Sequence, residues 1–182
     1  MKKEDIKRHL KTYSVYDKRK TTINHAFASA IAPSDDYSEN IINEALYFLG
    51  QNPDSELMCV FCDRPAETWD HLVGLVKGGE LRGYGHQVGN LIPCCKECNS
   101  KKGSKDFERF INESGRVNKG KEDLIFLLQK YQEKFAKEID LTSLQNKLPE
   151  EFLEFQKIKN EMFELMKKAD LIASKLRENI LK

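Results

Sequence analysis

The chain has 182 residues, 40% of them hydrophobic and 32% charged, and a formal net charge of +1. This is the composition of a folded globular protein, and it excludes a long disordered or low-complexity tail. No apolar stretch approaches the roughly 20 residues of a membrane span. The charges at the N-terminus have no apolar run behind them, so a cytoplasmic protein with no membrane partner is expected.

Charge is unevenly spread. Residues 1–20 carry eight Lys and Arg against three acids, residues 32–57 carry six acids and no Lys or Arg, and residues 96–121 carry eight basic against four acidic side chains. Two basic segments separated by an acidic one suit a polyanion site on one face, although a solvated helix surface gives the same pattern.

Three regions follow in chain order. Residues 1–56 read as helical and in part amphipathic. Ser38 stands where an N-cap would precede Ile41, Ile42, Ala45, Leu46, Phe48 and Leu49 at helical spacing, and Gly50 follows as a stop. Asn52-Pro53-Asp54 is a turn and a boundary. In residues 57–112, six of the ten glycines (74, 78, 79, 83, 85 and 89) fall within sixteen residues, which indicates tight turns and close backbone approach. Leu72-Val73, Leu75-Val76 and Leu91-Ile92 are too short for helices and suit a small antiparallel pair, and Phe107, Phe110 and Ile111 resume helical spacing. Residues 113–182 are helical again. Leu124, Phe126, Leu127, Leu128 and Tyr131 mark one helix, and Pro149 suits the first turn of another. Phe155, Ile158, Met162, Leu165, Ala169, Ile172 and Leu176 then alternate steps of three and four like a heptad seam. That seam predicts either a homodimer through the C-terminal helices or a helix folded back on its own chain.

Five cysteines in a reducing compartment are not expected to form disulfides. Four of them form two C-x-x-C pairs, Cys59/Cys62 and Cys95/Cys98, separated by 32 residues. Two such knuckles present four thiolates to one Zn²⁺, each pair from a single tight turn, and the zinc closes the ends of the intervening hairpin. A four-cysteine site is coordinatively closed, so its zinc is structural and any chemistry lies elsewhere. Cys94 is off this spacing and reads as a packed free thiol. Trp69 reads as core. His86, in the glycine-rich loop, reads as an exposed histidine whose contact with a substrate is left open, and His9 and His25 receive no role.

Between and after the knuckles stand Asp70-His71, Asn90-Leu91-Ile92-Pro93 and Asn99-Ser100-Lys101-Lys102-Gly103. The spaced combination resembles the HNH, or ββα-metal, nuclease family over roughly residues 59–103. The resemblance implies an α+β fold with a small central ββα module stapled by zinc and flanked by helices. It implies hydrolysis of phosphodiester bonds in double-stranded DNA, in a restriction-type enzyme or, as the runner-up, a nicking enzyme of a mobile element or phage. His71 matches the general base, Asp70 the metal-binding carboxylate, and Asn90 the residue that holds the histidine loop. Asn99 stands where many members have His. Its amide oxygen suits Mg²⁺, a hard cation, better than softer divalent ions such as Ni²⁺. Lys102, three residues on, reads as a phosphate contact with Lys101 behind it. A reading from another class is a non-catalytic zinc module that binds nucleic acid; it needs the cysteines but not Asp70, His71, Asn90 and Asn99.

Overall fold

The computed structural model describes residues 2–117 and 120–180. The class is α+β. A 3-10 turn (Lys3–Arg8) precedes α1 (Val15–Ile31) and α2 (Glu39–Phe48). Then come β1 (Thr68–His71), β2 (Val76–Lys77), β3 (Glu80–Leu81), a second 3-10 turn (Val88–Asn90) and β4 (Leu91–Cys94). The helices α3 (Lys96–Lys102), α4 (Phe107–Glu113), α5 (Lys121–Phe135), α6 (Leu141–Lys147) and α7 (Pro149–Ile180) follow. No described helix is long and apolar enough to cross a membrane.

The chain divides into two compact units, one of Met1–Phe27 with Thr142–Lys182 and one of Ala28–Leu141. The Asn52-Pro53-Asp54 turn forms, with Asp54 N–H donating to Asn52 Oδ1 at 3.1 Å, but it lies inside the second unit. The reason is apolar packing on both sides of it. Ala45 of α2 and Leu49 just after it share one core with Val60, Phe61, Leu72, Ile92, Phe110, Ile111, Leu128 and Tyr131. Residues 28–56 and 113–141 thus bury their apolar faces against the central segment.

Two hairpins organise that segment. β1 pairs antiparallel with β4, Asp70 opposite Ile92 and His71 opposite Leu91, while β2 pairs with β3. Leu72-Val73 lies outside both ladders. Val73 N–H and C=O are taken by the Asn90 side chain, which draws the chain out of the strand just after His71. Tyr131 of α5 places its hydroxyl 2.7 Å from the Val88 carbonyl and 2.8 Å from that of Leu91, and donates to this pair. A Cβ at Gly89 would come within 2.6 Å of the Phe135 backbone, so only glycine lets the end of α5 approach the Val88–Asn90 turn. Trp69 is not core. It is 48% exposed and stands at an apolar cavity of about 310 Å³ with Tyr37, Leu46, Val88 and Leu91. On β1 it projects from the face opposite that of Asp70.

In the other unit α7 starts at Pro149 as its sequence predicts, and one face packs on α1. The rings of Phe27 and Phe155 lie 4.9 Å apart, and those of Tyr16 and Phe163 lie 5.8 Å apart edge to face. Asp170 caps the start of α1, accepting from Ser14 Oγ–H at 2.8 Å and from the Val15 and Tyr16 amides at 2.7 and 3.1 Å. These three bonds hold its carboxyl below the usual aspartate range. The seam residues therefore divide. Phe155 faces α1, whereas Ile158, Leu165, Ile172 and Leu176 stay exposed.

Candidate functional site

The cysteine quartet sits beside β4. After Cys59 the chain turns tightly, Cys62 and Asp63 both donating to the Cys59 carbonyl. Asp63 takes φ +55°, the left-handed conformation such a turn requires. Cys95 N-caps α3, its sulfur accepting from Cys98 N–H at 3.4 Å. The sulfurs of Cys59, Cys62, Cys95 and Cys98 all lie within 4.8 Å of one another and all four residues are buried. Those of Cys62 and Cys95 are 3.7 Å apart, close to the edge of a Zn–S₄ tetrahedron, which is about 3.8 Å for bonds of about 2.3 Å. Burial pushes the Cys98 and Cys95 thiols up. The contact with Cys94, sulfur to sulfur 4.0 Å, holds Cys59 down to about 4. Four sulfurs at this spacing in a closed, buried shell fit a structural metal such as zinc, whose charge would hold them as thiolates. Cys94 is fully buried, lies outside the quartet and packs against it.

The polar residues lie around the loop end of the β1–β4 pair, where His71 stands opposite Leu91. Asn90 is fully buried and braces two loops. Its Oδ1 accepts from Val73 N–H at 2.9 Å, and its Nδ2 donates to Val73 O at 3.1 Å and Gly85 O at 2.8 Å. The first loop follows His71 and the second carries His86. The Gly85–His86 segment is fixed from outside as well, His86 N–H donating to Pro33 O at 2.8 Å. Gly85 takes φ +65°, and a Cβ there would lie 2.4 Å from Pro33 O. The two imidazoles then meet, His71 Nε2 standing 3.1 Å from His86 Nδ1.

Lys102 closes the site from beneath. It is 1% exposed, and its ammonium donates to the His71 carbonyl at 2.6 Å and lies 3.1 Å from Asp70 Oδ2. The sequence reading of Lys102 as a phosphate contact therefore gives way to a buried strut. Its apolar stem packs inward from the last turn of α3 while the head group is spent on protein oxygens. Asp70 Oδ2 is itself buried and, despite that ammonium, has no aligned hydrogen bond. Burial raises the Asp70 carboxyl above its ordinary value, with Lys102 opposing the rise. Burial first, then the neighbouring His86 and Lys102, hold the His71 imidazole down to about 4. It is thus in its neutral, proton-accepting form at neutral pH.

Asp70 and Lys102 meet through their side chains, Lys102 reaches His71 through its backbone carbonyl, and Asn90 braces the loop after His71. Asn99, half-buried on α3, makes no side-chain hydrogen bond among the described residues. Lys101 is exposed and pairs with Glu97 at 2.9 Å. The residue whose role sequence reasoning left open is His86, which is half-buried rather than exposed. The signal for it was a histidine inside the densest glycine loop, where close backbone approach was already expected. Comparison of the chain with protein-family models, with curated proteins and with solved structures finds no match.

Proposed function

We propose that this chain is a Mg²⁺-dependent endonuclease of the HNH type acting on double-stranded DNA, with β1, β4 and α3 as its ββα module. The observation that carries the reading is the His71 imidazole. It stands at the end of β1, and its loop is clamped by a fully buried asparagine nine residues before Asn99. In the reaction His71 accepts a proton from water as the water oxygen bonds to phosphorus and the 3′-oxygen leaves. Asp70 and Asn99 would hold Mg²⁺. Asp70 Oδ2, 3.1 Å from the Lys102 ammonium but without an aligned hydrogen bond, offers an oxygen to such a cation, which when bound would neutralise the phosphate and the departing oxygen. Lys102 fixes the His71 backbone and balances the Asp70 charge.

The surface around α3 and α4 supports a polyanionic substrate. Glu97 is shared by Arg64, Lys101 and Arg116, and Glu113 by Lys105 and Arg109, so two acids offset five cations. Apart from that of Arg116, whose side chain is only 18% exposed, these surface pairs are worth about 0–1 kcal/mol each and can exchange for phosphate. The test is incubation of the purified, zinc-loaded chain with supercoiled plasmid, with and without Mg²⁺. Conversion to nicked or linear DNA that needs Mg²⁺ supports the reading. DNA binding with no cleavage in any divalent ion would leave a zinc module that binds nucleic acid.

A further inference from the structure

We propose that His86 is a positioning residue for His71, accepting a hydrogen bond from His71 Nε2–H and so leaving the lone pair of His71 on Nδ1. The contact between the two rings stands on geometry; the direction of the bond rests on the nuclease reading. A neutral imidazole carries one N–H, and the bond made by one ring nitrogen decides which nitrogen holds it. His71 Nε2 and His86 Nδ1 are 3.1 Å apart, and this is the one side-chain hydrogen bond of either ring among the described residues. The bond can run in two directions, and each leaves a different nitrogen of His71 basic.

The nuclease reading selects between them, because a general base needs a ring lone pair that no neighbour holds. The Lys102 ammonium bonds the carbonyl of His71 itself at 2.6 Å. It makes no bond to the ring, so with the proton on Nδ1 the remaining lone pair on Nε2 would be taken by His86 Nδ1–H, whereas with the proton on Nε2 the lone pair on Nδ1 stays uncommitted. The proton therefore belongs on Nε2 and is donated to His86. The remaining titratable neighbour is Asp70, whose carboxylate is already paired with the same ammonium.

The separation of the rings is built rather than incidental. One Asn90 amide bonds the loop after His71 through Val73 and the loop before His86 through Gly85. Asp35 N–H reaches the His86 carbonyl at 3.5 Å, and His86 N–H bonds Pro33 on the same outer segment. An imidazole fixed at both of its own backbone groups, and indirectly to its partner, is placed like an orienting group behind a base.

The experiment uses the full zinc-loaded chain. Histidine-selective ¹⁵N labelling with long-range ¹H–¹⁵N correlation separates Nε2–H from Nδ1–H tautomers, and the four histidines can be assigned by single substitution. The expected result is an Nε2–H tautomer for His71 in the wild type, a mixed population in His86→Ala, and recovery in His86→Asn, whose Oδ1 replaces the acceptor. In Mg²⁺-dependent cleavage, His86→Ala should lose about 100-fold in kcat with KM changed by less than about twofold, the scale of a misoriented reacting group. His86→Asn should regain most of that loss. An Nδ1–H tautomer in the wild type, or one unchanged in His86→Ala, overturns the proposal. If the wild type cleaves no DNA, the nuclease reading fails while the tautomer still decides the His71–His86 bond.

Discussion

Replacing Asn90 by Ala removes three hydrogen bonds at a site with no access to water. The lost partners are Val73 N–H, Val73 O and Gly85 O, bonded now at 2.9, 3.1 and 2.8 Å. Each buried group left unpaired costs about 1–3 kcal/mol, the lower end applying where water enters the vacated space, so a total near 3 kcal/mol or above is expected. For a chain of this length that is a fall in Tm of roughly 6–12 °C. Asn90→Asp should be at least as damaging, because it keeps the acceptor for Val73 N–H but turns a buried carboxylate toward two carbonyls. Trp69, the single tryptophan, lies on β1 within the unit that Asn90 braces. Urea unfolding followed by its fluorescence therefore reads the relevant unit. A loss below about 1 kcal/mol for Asn90→Ala would refute the bracing argument.

Metal analysis should find one tightly held zinc per chain. Cys98→Ser should lose it and unfold the central unit, seen as early loss of the Trp69 transition, because thiolate ligation is coupled to folding; a metal-free, cooperatively folded variant contradicts this. Lys102→Met should cost about 3–5 kcal/mol by stranding the buried Asp70 carboxylate, against less than about 1 kcal/mol for Lys101→Met at an exposed pair. Equal effects in denaturant titrations of the two variants would remove the strut from the account. The exposed ladder Ile158, Leu165 and Ile172 on α7 predicts self-association, so light scattering should give a dimer that Leu165→Glu converts to a monomer; a monomeric wild type at all concentrations rules this out.

The helices were legible where one strong periodicity met a stop signal. α2 runs from Glu39 to Phe48 with Ser38 at the N-cap position, although its hydroxyl makes no capping bond, and Gly50 follows at φ +73°. α5 and the Pro149 start of α7 were legible for the same reason. The strands were only partly so. Leu91-Ile92 lies in β4, but β1 holds Trp69, Asp70 and His71, and the apolar pair Leu72-Val73 lies beyond it because a side chain, rather than a strand, satisfies Val73. The cysteine pairing was legible because spacing alone brings two knuckles together. The roles of Lys102 and His86 were not. Nothing local marks a lysine as buried when its partners are a carboxylate and a carbonyl 32 and 31 residues away. The meeting of His71 with His86 depends on how Asn90 ties two loops. The outward face of Trp69 followed likewise from register, which composition does not fix.

The central claim is that His71 takes the proton in a phosphodiester cleavage, and the direct test is a single-turnover time course on duplex DNA in Mg²⁺ comparing wild type with His71→Ala. The variant should retain its zinc, its Trp69 unfolding transition and its affinity for DNA. Its cleavage rate should nevertheless fall by about 10²–10⁴-fold, the usual contribution of a general base. A folded, zinc-replete His71→Ala protein that cuts DNA at the wild-type rate would contradict the account.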